Sequence, residues 1–382
     1  MKILVVSDVL GEENNGTTIA AMNLIRALKA KGHEVRILCP DQDKKGEEGY
    51  YIVGTRSFGK LLDNYIKKVG VTIAKPDKKV VEDALNGVDH VHIMLPFPLG
   101  QMAVKMAKEK GLSVTAGFHC QAENFTSYIK MNRVQMLNHF VYKYMYKNFY
   151  KYVDAIHYPT KFIKDTFESH IKKQTKGYII SNGVNSQIEK KETPKPEEFK
   201  NKIVVLSIGR FAREKSQDTL IKAIKYSKHK DRIQLILAGQ GTKDKYYTRL
   251  GKKLPNKPIL KFFSRDEIIN VLNYADIYAH PADIELEGIA CLEAITCGKL
   301  VIVSSSKLSA TRNFAVDERC IFKKRNPKDL ARVIDYFIDN PEEKKQIEQK
   351  YLSEAKVYNQ DACMQEMENM IKEVYSIAHK EK

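Results

Sequence analysis

The sequence predicts two doubly wound α/β domains in one chain. Three observations carry this. Short apolar, strand-like runs alternate with helix-like stretches along most of the chain. The alternation pauses at the polar, two-proline stretch SQIEKKETPKPEEFKNK, residues 186–202, and then restarts. The length, 382 residues, exceeds one typical compact core and suits two.

Taken in order, the chain opens with KILVVSDV, a strand, followed by ENNGTT, a turn. Thr17 or Thr18 can cap a helix through AMNLIRALKAK, whose apolar residues recur at helical spacing. Gly32 ends that helix and HEVRILCP is the next strand. Strands at HVHIML (90–95), SVTAGF (113–118), AIHYP (155–159) and GYIIS (177–181) complete a first domain over 1–185. After the 186–202 linker come KIVVLSIGR, a helix near Gln217–Ser227, RIQLILAG, a helix near Arg265–Tyr274 and ADIYAHP. A short helix near Ile289–Cys297, stopped by Gly298, and the strand KLVIVSS follow, giving a second domain over 203–359. The tail from about Pro341 is helical and charged, and its last part, about 360–382, is expected to pack back on the first domain.

Composition narrows the class. Hydrophobic residues make up 43%, enough for a globular fold. No apolar run reaches the ~18 residues a membrane-spanning helix needs. The ILVV run after Lys2 is too short for a signal peptide. The six cysteines, at 39, 120, 291, 297, 320 and 363, form no CxxC pair, so reduced thiols in a cytosolic protein are expected. His119 stands beside Cys120 without a partner pair at ligand spacing, so no metal site is expected. The net charge of +17 points to an anionic partner: nucleic acid, a nucleotide substrate or an acidic lipid surface.

In open parallel sheets, ligands bind beyond the carboxyl ends of the strands. Gly16 follows the first strand and precedes a helix. It is either a turn glycine or a point where the backbone approaches a phosphate at a helix N-terminus. There is no GxGxxG, so the dinucleotide fingerprint is absent. In SIGRFAREKSQ, Arg210 and Lys215 can neutralise a diphosphate, Arg as a fork and Lys as a point charge, or form a solvated basic loop.

DIELEGIACLEAITCG, residues 283–298, is richer. Glu285 precedes the short helix and Glu293 lies more than one turn inside it, so the two cannot form a close carboxylate dyad. Each needs its own partner. Carboxylate oxygens suit sugar and ribose hydroxyls, and the N–H groups of Gly288, Ile289 and Ala290 point out of the helix start. A nucleotide sugar matches these parts; the plainer alternative is a capping acid and a surface acid. Asp283 and Glu285 imitate a metal-binding DxD, but the cations already supply charge neutralisation.

Residues 124–153 contain no acid, four lysines, one arginine and nine Phe or Tyr. Tyr128, Lys130, Arg133, Phe140, Lys143, Tyr144 and Lys147 fit a helix lying on an anionic lipid surface. The alternative is a partly buried helix with core aromatics and solvated lysines. Lys60, Lys67, Lys68, Lys75, Lys78 and Lys79 add charge to the same domain.

Together these segments resemble the retaining nucleotide-sugar glycosyltransferases of the GT-B fold, the large family with an E-x7-E motif (family 4). Glu285 and Glu293 stand at that spacing, and SIGRFAREKS is similar to the family's GR…EK segment through Arg210, Glu214 and Lys215. IISNGVN (179–185) resembles its PNGVD strand end, with Ser181 and Asn185 as departures; ALKAKGHEV resembles its first helix and strand. Leu286 and Glu287 replace the family's usual proline and phenylalanine. VHIMLPFPLG, AGFHCQAEN and SKLSATRNFAVDER look most like bacterial enzymes that glucosylate diacylglycerol.

The resemblance implies two Rossmann-like domains facing a cleft. It implies that Glu285 and the adjacent amides hold the donor hexose, Glu293 the ribose, and Arg210 and Lys215 the diphosphate. Gly16 would let the N-terminal loop close on the phosphate, and His119 would sit at the sugar's edge. The expected reaction moves a hexose, glucose from UDP-glucose by first choice, to a lipid hydroxyl with retention and without a metal or other cofactor. The expected partners are the nucleotide sugar, a lipid acceptor and an anionic membrane surface on the cytoplasmic side. Transfer to a soluble glycan, nucleotide-sugar epimerisation and single-strand nucleic-acid binding are the alternatives; no compact nucleic-acid module supports the last.

Overall fold

The computed structural model describes residues 1–10, 16–57, 73–128 and 135–380. The chain divides into two compact units, residues 1–182 with 361–382, and residues 183–360.

The first unit holds β1 (Lys2–Val6), β2 (Glu34–Cys39), β3 (Tyr50–Ile52), β6 (His90–Ile93), β7 (Ser113–Gly117), β8 (Ala155–Tyr158) and β9 (Gly177–Ile179). A two-residue antiparallel pair, β4 (Gly54–Thr55) and β5 (Ala74–Lys75), lies apart from them. The seven-stranded sheet runs β3-β2-β1-β6-β7-β8-β9, with every pairing parallel. β1 is apolar throughout after Lys2, as a central strand covered on both faces requires. The helices are α1 (Gly16–Ala30), α2 (Lys78–Leu85), α3 (Pro98–Glu109), α4 (Ala122–Tyr128), α5 (Gln135–Asn148) and α6 (Lys161–Ile171). Thr18 lies within the first turn of α1 rather than capping it, and its hydroxyl donates to the Val9 carbonyl at 3.4 Å.

The second unit repeats the plan. β10 (Ile203–Ile208), β11 (Ile233–Ala238), β12 (Ile259–Lys261), β13 (Ile277–His280), β15 (Leu300–Ser304) and β17 (Ile321–Phe322) form a parallel sheet in the order β12-β11-β10-β13-β15-β17. β14 (Ile284–Glu285) and β16 (Leu308–Ser309) pair separately. Its helices are α7 (Gln217–Tyr226), α8 (Asp244–Gly251), α9 (Arg265–Tyr274), α10 (Ile289–Thr296), α11 (Pro327–Asp339) and α12 (Pro341–Glu354). The last helix, α13 (Gln360–Lys380), belongs to the first unit from Asp361 onward. There it buries Met364, Met367, Met370 and Ile371 and accepts from His33 on Glu368 at 2.9 Å.

The stretch 186–202, expected as a linker, is bound into the second unit. Ile188 and Phe199 join that unit's core. The Lys191 N–H donates to Asn273 Oδ1 at 2.8 Å, and Lys195 pairs with Asp276 at 2.6 Å. Two apolar anchors hold an otherwise polar segment down. The chain passes between units instead at residues 182–183, inside the NGV motif, and again at 360–361.

Candidate active site

The second unit gathers most of the expected residues beyond the carboxyl end of its sheet. β10 is followed by Gly209 and Arg210, and the loop tightens into a 3-10 turn, Arg213–Lys215, before α7. The Gln217 side-chain amide ties the loop by donating to the carbonyls of Gly209 (3.1 Å) and Arg210 (3.2 Å). β13 delivers His280, and β14 delivers Glu285.

Lys215 Nζ lies 2.5 Å from Glu285 Oε2, and His280 Nε2 lies 3.1 Å from the same oxygen. His280 Nδ1 in turn meets the Tyr278 hydroxyl at 3.1 Å. Burial pushes the Glu285 carboxyl up, but Lys215 and His280 outweigh it and hold the group down at about 2. Glu285 is therefore a fixed anion with a cation clamped to it.

Gly288 then turns the chain with φ +89°, a left-handed conformation that begins α10. A Cβ there would fall 2.4 Å from Thr311 Cγ2 and 3.1 Å from Glu285 Cγ. The opening N–H groups of a helix have no intrahelical acceptor, so those of Ile289 and Ala290 remain for a ligand. Glu293, one turn further, pairs with Arg265 at 2.7 Å. Burial raises the Glu293 carboxyl, opposed by Arg265. Arg210 pairs with Glu214 at 3.5 Å, and Asp283 is ion-paired with Arg325.

His280 and Arg265 were not among the sequence-derived candidates. The signal for Arg265 was present: SRDE is a capping box, and Ser264 and Glu267 cap α9 reciprocally. His280 was marked only by its place at a strand end.

In the first unit, His119 follows β7, with Nε2 buried and lacking a hydrogen-bond partner among the described residues. Burial, and then His157, depress its basicity. Its ring lies over Gly117, where a Cβ would meet Nε2 at 2.4 Å; any larger residue would displace the histidine. His92, His119 and His157 with Met94, Met364 and Met367 surround a small cavity of about 10 Å³. Gly16 is exposed at the start of α1, with open space around its Cβ direction.

The basic aromatic stretch divides in two. Tyr142, Phe149 and Tyr150 are core, and Tyr142 donates to Glu123 at 2.7 Å. These rings therefore do not belong to a surface-binding face. Met136, Phe140 and Tyr144 stand at i, i+4 and i+8 along α5, 79%, 67% and 49% exposed, beside exposed Lys143 and Lys147. Lys130, Arg133, Lys60, Lys67, Lys68 and the side chain of Tyr128 lie outside the described residues.

Comparison with known proteins gives a consistent pattern. Residues 14–188 match the family described as Glycosyltransferase Family 4, and residues 188–352 the family described as Glycosyl transferases group 1. The chain is 23% identical to the alpha-monoglucosyldiacylglycerol synthase of Streptococcus pneumoniae over 322 residues, 79% of this chain and 70% of that one. It is 23% identical to the protein of the same name from Acholeplasma laidlawii over 329 residues, 79% of this chain and 80% of that one. Anabaena HepE, solved in complex with UDP-glucose, shares the fold with a TM-score of 0.74 at 16% identity, over 98% of this chain and all of that one.

Proposed function

This chain is a GT-B glycosyltransferase with a family 4 half and a group 1 half, and from that premise we propose that it moves glucose from UDP-glucose to the free hydroxyl of diacylglycerol. The observation that supports the donor reading best is the part-buried Lys215–Glu285–His280 cluster beside the left-handed start of α10. Glu285 accepts from the hexose hydroxyls, and Glu293, steadied by Arg265, accepts from the ribose. Lys215 and Arg210 face the diphosphate, with the α10 amides adding their partial charge.

In the step itself, the bond from the anomeric carbon to the diphosphate oxygen breaks and the electron pair stays on the diphosphate. The acceptor oxygen bonds that carbon from the same face, and its proton passes to a phosphate oxygen. The anomeric configuration is retained. Protein cations stabilise the departing charge, so no metal ion is required. His119 lies at the edge of the sugar as a positioning group, and Gly16 lets the chain come close to the phosphate.

The lipid acceptor is supported by the exposed Met136, Phe140 and Tyr144 stripe with its flanking lysines, and by the names of the two synthases. No described helix is long and apolar enough to cross a membrane, so the proposed attachment is peripheral, at the inner face of the cell membrane. The test is incubation with radiolabelled UDP-glucose and diacylglycerol vesicles. Label should enter the organic phase as an α-glucoside, and Glu285→Gln should abolish this. Label confined to a water-soluble glycan would overturn the lipid acceptor, and label left on the nucleotide with altered sugar configuration would overturn transfer.

A further inference from the structure

A basic cavity in the second unit shares no lining residue with the proposed donor site. Its volume is about 400 Å³, and its walls include Arg213, Ser216, Lys222, Lys243, Tyr246 and Arg325. Asp218, also in the wall, pairs with Lys222 at 2.7 Å, and Arg325 pairs with Asp283, which leaves the charges of Arg213 and Lys243. Neither Arg213 nor Lys243 forms an ion pair among the described residues. Lys243 instead lies 5.6 Å from the Tyr246 ring centre. Three non-glycine described residues adopt positive φ, and two of them, Ser216 (φ 51°) and Arg325 (φ 55°), line this cavity. The wall thus holds two left-handed residues and two cations, Arg213 and Lys243, whose charge an anion entering the cavity would neutralise.

The cavity is a separate place from the Glu285 cluster, though only one turn away. The 3-10 turn sends Lys215 to Glu285, while its neighbours Arg213 and Ser216 line the cavity. We propose that this cavity is a second anion site, taking a phosphate monoester carried on a body the size of a hexose. Arg forks and a Lys point charge match phosphate oxygens. The Thr219 hydroxyl supplies a neutral donor, and the volume falls in the range of small-ligand sites. A sugar phosphate in solution and a phosphatidic acid headgroup present the same group.

The test uses the full chain and reads binding, so it stands apart from transfer activity. Glucose 6-phosphate is titrated by calorimetry with and without saturating UDP, and phosphatidic acid vesicles are compared with neutral vesicles. Saturable binding of glucose 6-phosphate that persists with UDP present supports the site. In Arg213→Glu with Lys243→Glu that binding should weaken at least about tenfold, with UDP affinity unchanged. Binding only to phosphatidic acid vesicles, lost in the same double variant, supports the site with the headgroup as its source. Displacement of glucose 6-phosphate by UDP, unchanged affinity in the double variant, or no saturable binding to either probe would overturn the proposal.

Discussion

Glu285 is an anion by the choice of its neighbours. Burial alone would push its carboxyl above the ordinary 4.5, and Lys215 with His280 reverses that to about 2. Removing Lys215 lets burial win. In Lys215→Ala the Glu285 pKa should therefore rise, and donor binding, already weakened, should fall further as pH drops toward the raised pKa. UDP-glucose affinity measured across acidic to neutral pH checks this; a parallel pH profile in wild type and variant would contradict the pairing. Gly288 is a matter of geometry. With φ at +89° and Thr311 2.4 Å from any added Cβ, Gly288→Ala should cost about 1–2 kcal/mol of stability. It should cost transfer far more, because the amides of α10 move with it. Thermal melting and initial rates measured together separate the two effects.

α5 carries two faces with different tasks. One buries Tyr142 and Met145; the other exposes Met136, Phe140 and Tyr144. An exposed ring contributes little to folding, while burying one Phe in a lipid interface is worth about 1.5–3 kcal/mol. Phe140→Ser with Tyr144→Ser should leave the unfolding midpoint nearly unchanged. It should lower partitioning onto anionic vesicles by about tenfold or more. Sedimentation with vesicles measures this, and equal partitioning would remove the stripe from the membrane reading. Lys143 and Lys147 on the same face should make the residual binding fall with salt. α9 shows another kind of control: its Ser264–Glu267 capping box fixes the first turn, and that turn presents Arg265 to Glu293.

The whole molecule carries an acid weakness in its first unit. His90, His92, His119 and His157 cluster at neighbouring strands, held neutral chiefly by burial. Their folded values lie far below the ordinary 6.5, at about 3 for His90 and about 4 for His157. Above 6.5 neither the folded nor the unfolded chain binds these protons, and the stability is fully present. Below 6.5 the unfolded chain takes them up first, so stability falls progressively toward the folded values. Urea unfolding should show a midpoint that drops between neutral pH and mild acid. His92→Gln should flatten that slope; an unchanged slope would show that these histidines do not set it. Asp8 acts in the opposite sense. Its carboxyl, buried under the N-terminus of α3, is raised to about 7 despite accepting from Leu99 and Gly100 at 3.1 and 3.2 Å.

The two α/β halves are legible in the sequence, because strand and helix periodicity and glycine stops act within a few residues. The sequence located α10 from Ile289 to its stop at Gly298, and it singled out Arg210, Lys215, Glu285 and Glu293. It did not assign their partners. Lys215 and Glu285 are 70 residues apart, and Arg265 and Glu293 are 28 apart. Pairings across such separations follow from strand order and register, which local patterns do not encode. For the same reason the polar stretch 186–202 read as a linker, although Ile188 and Phe199 anchor it in a core. Which aromatics of α5 face inward follows from the packing of the folded chain, since helical spacing gives the faces but not the side that meets the core.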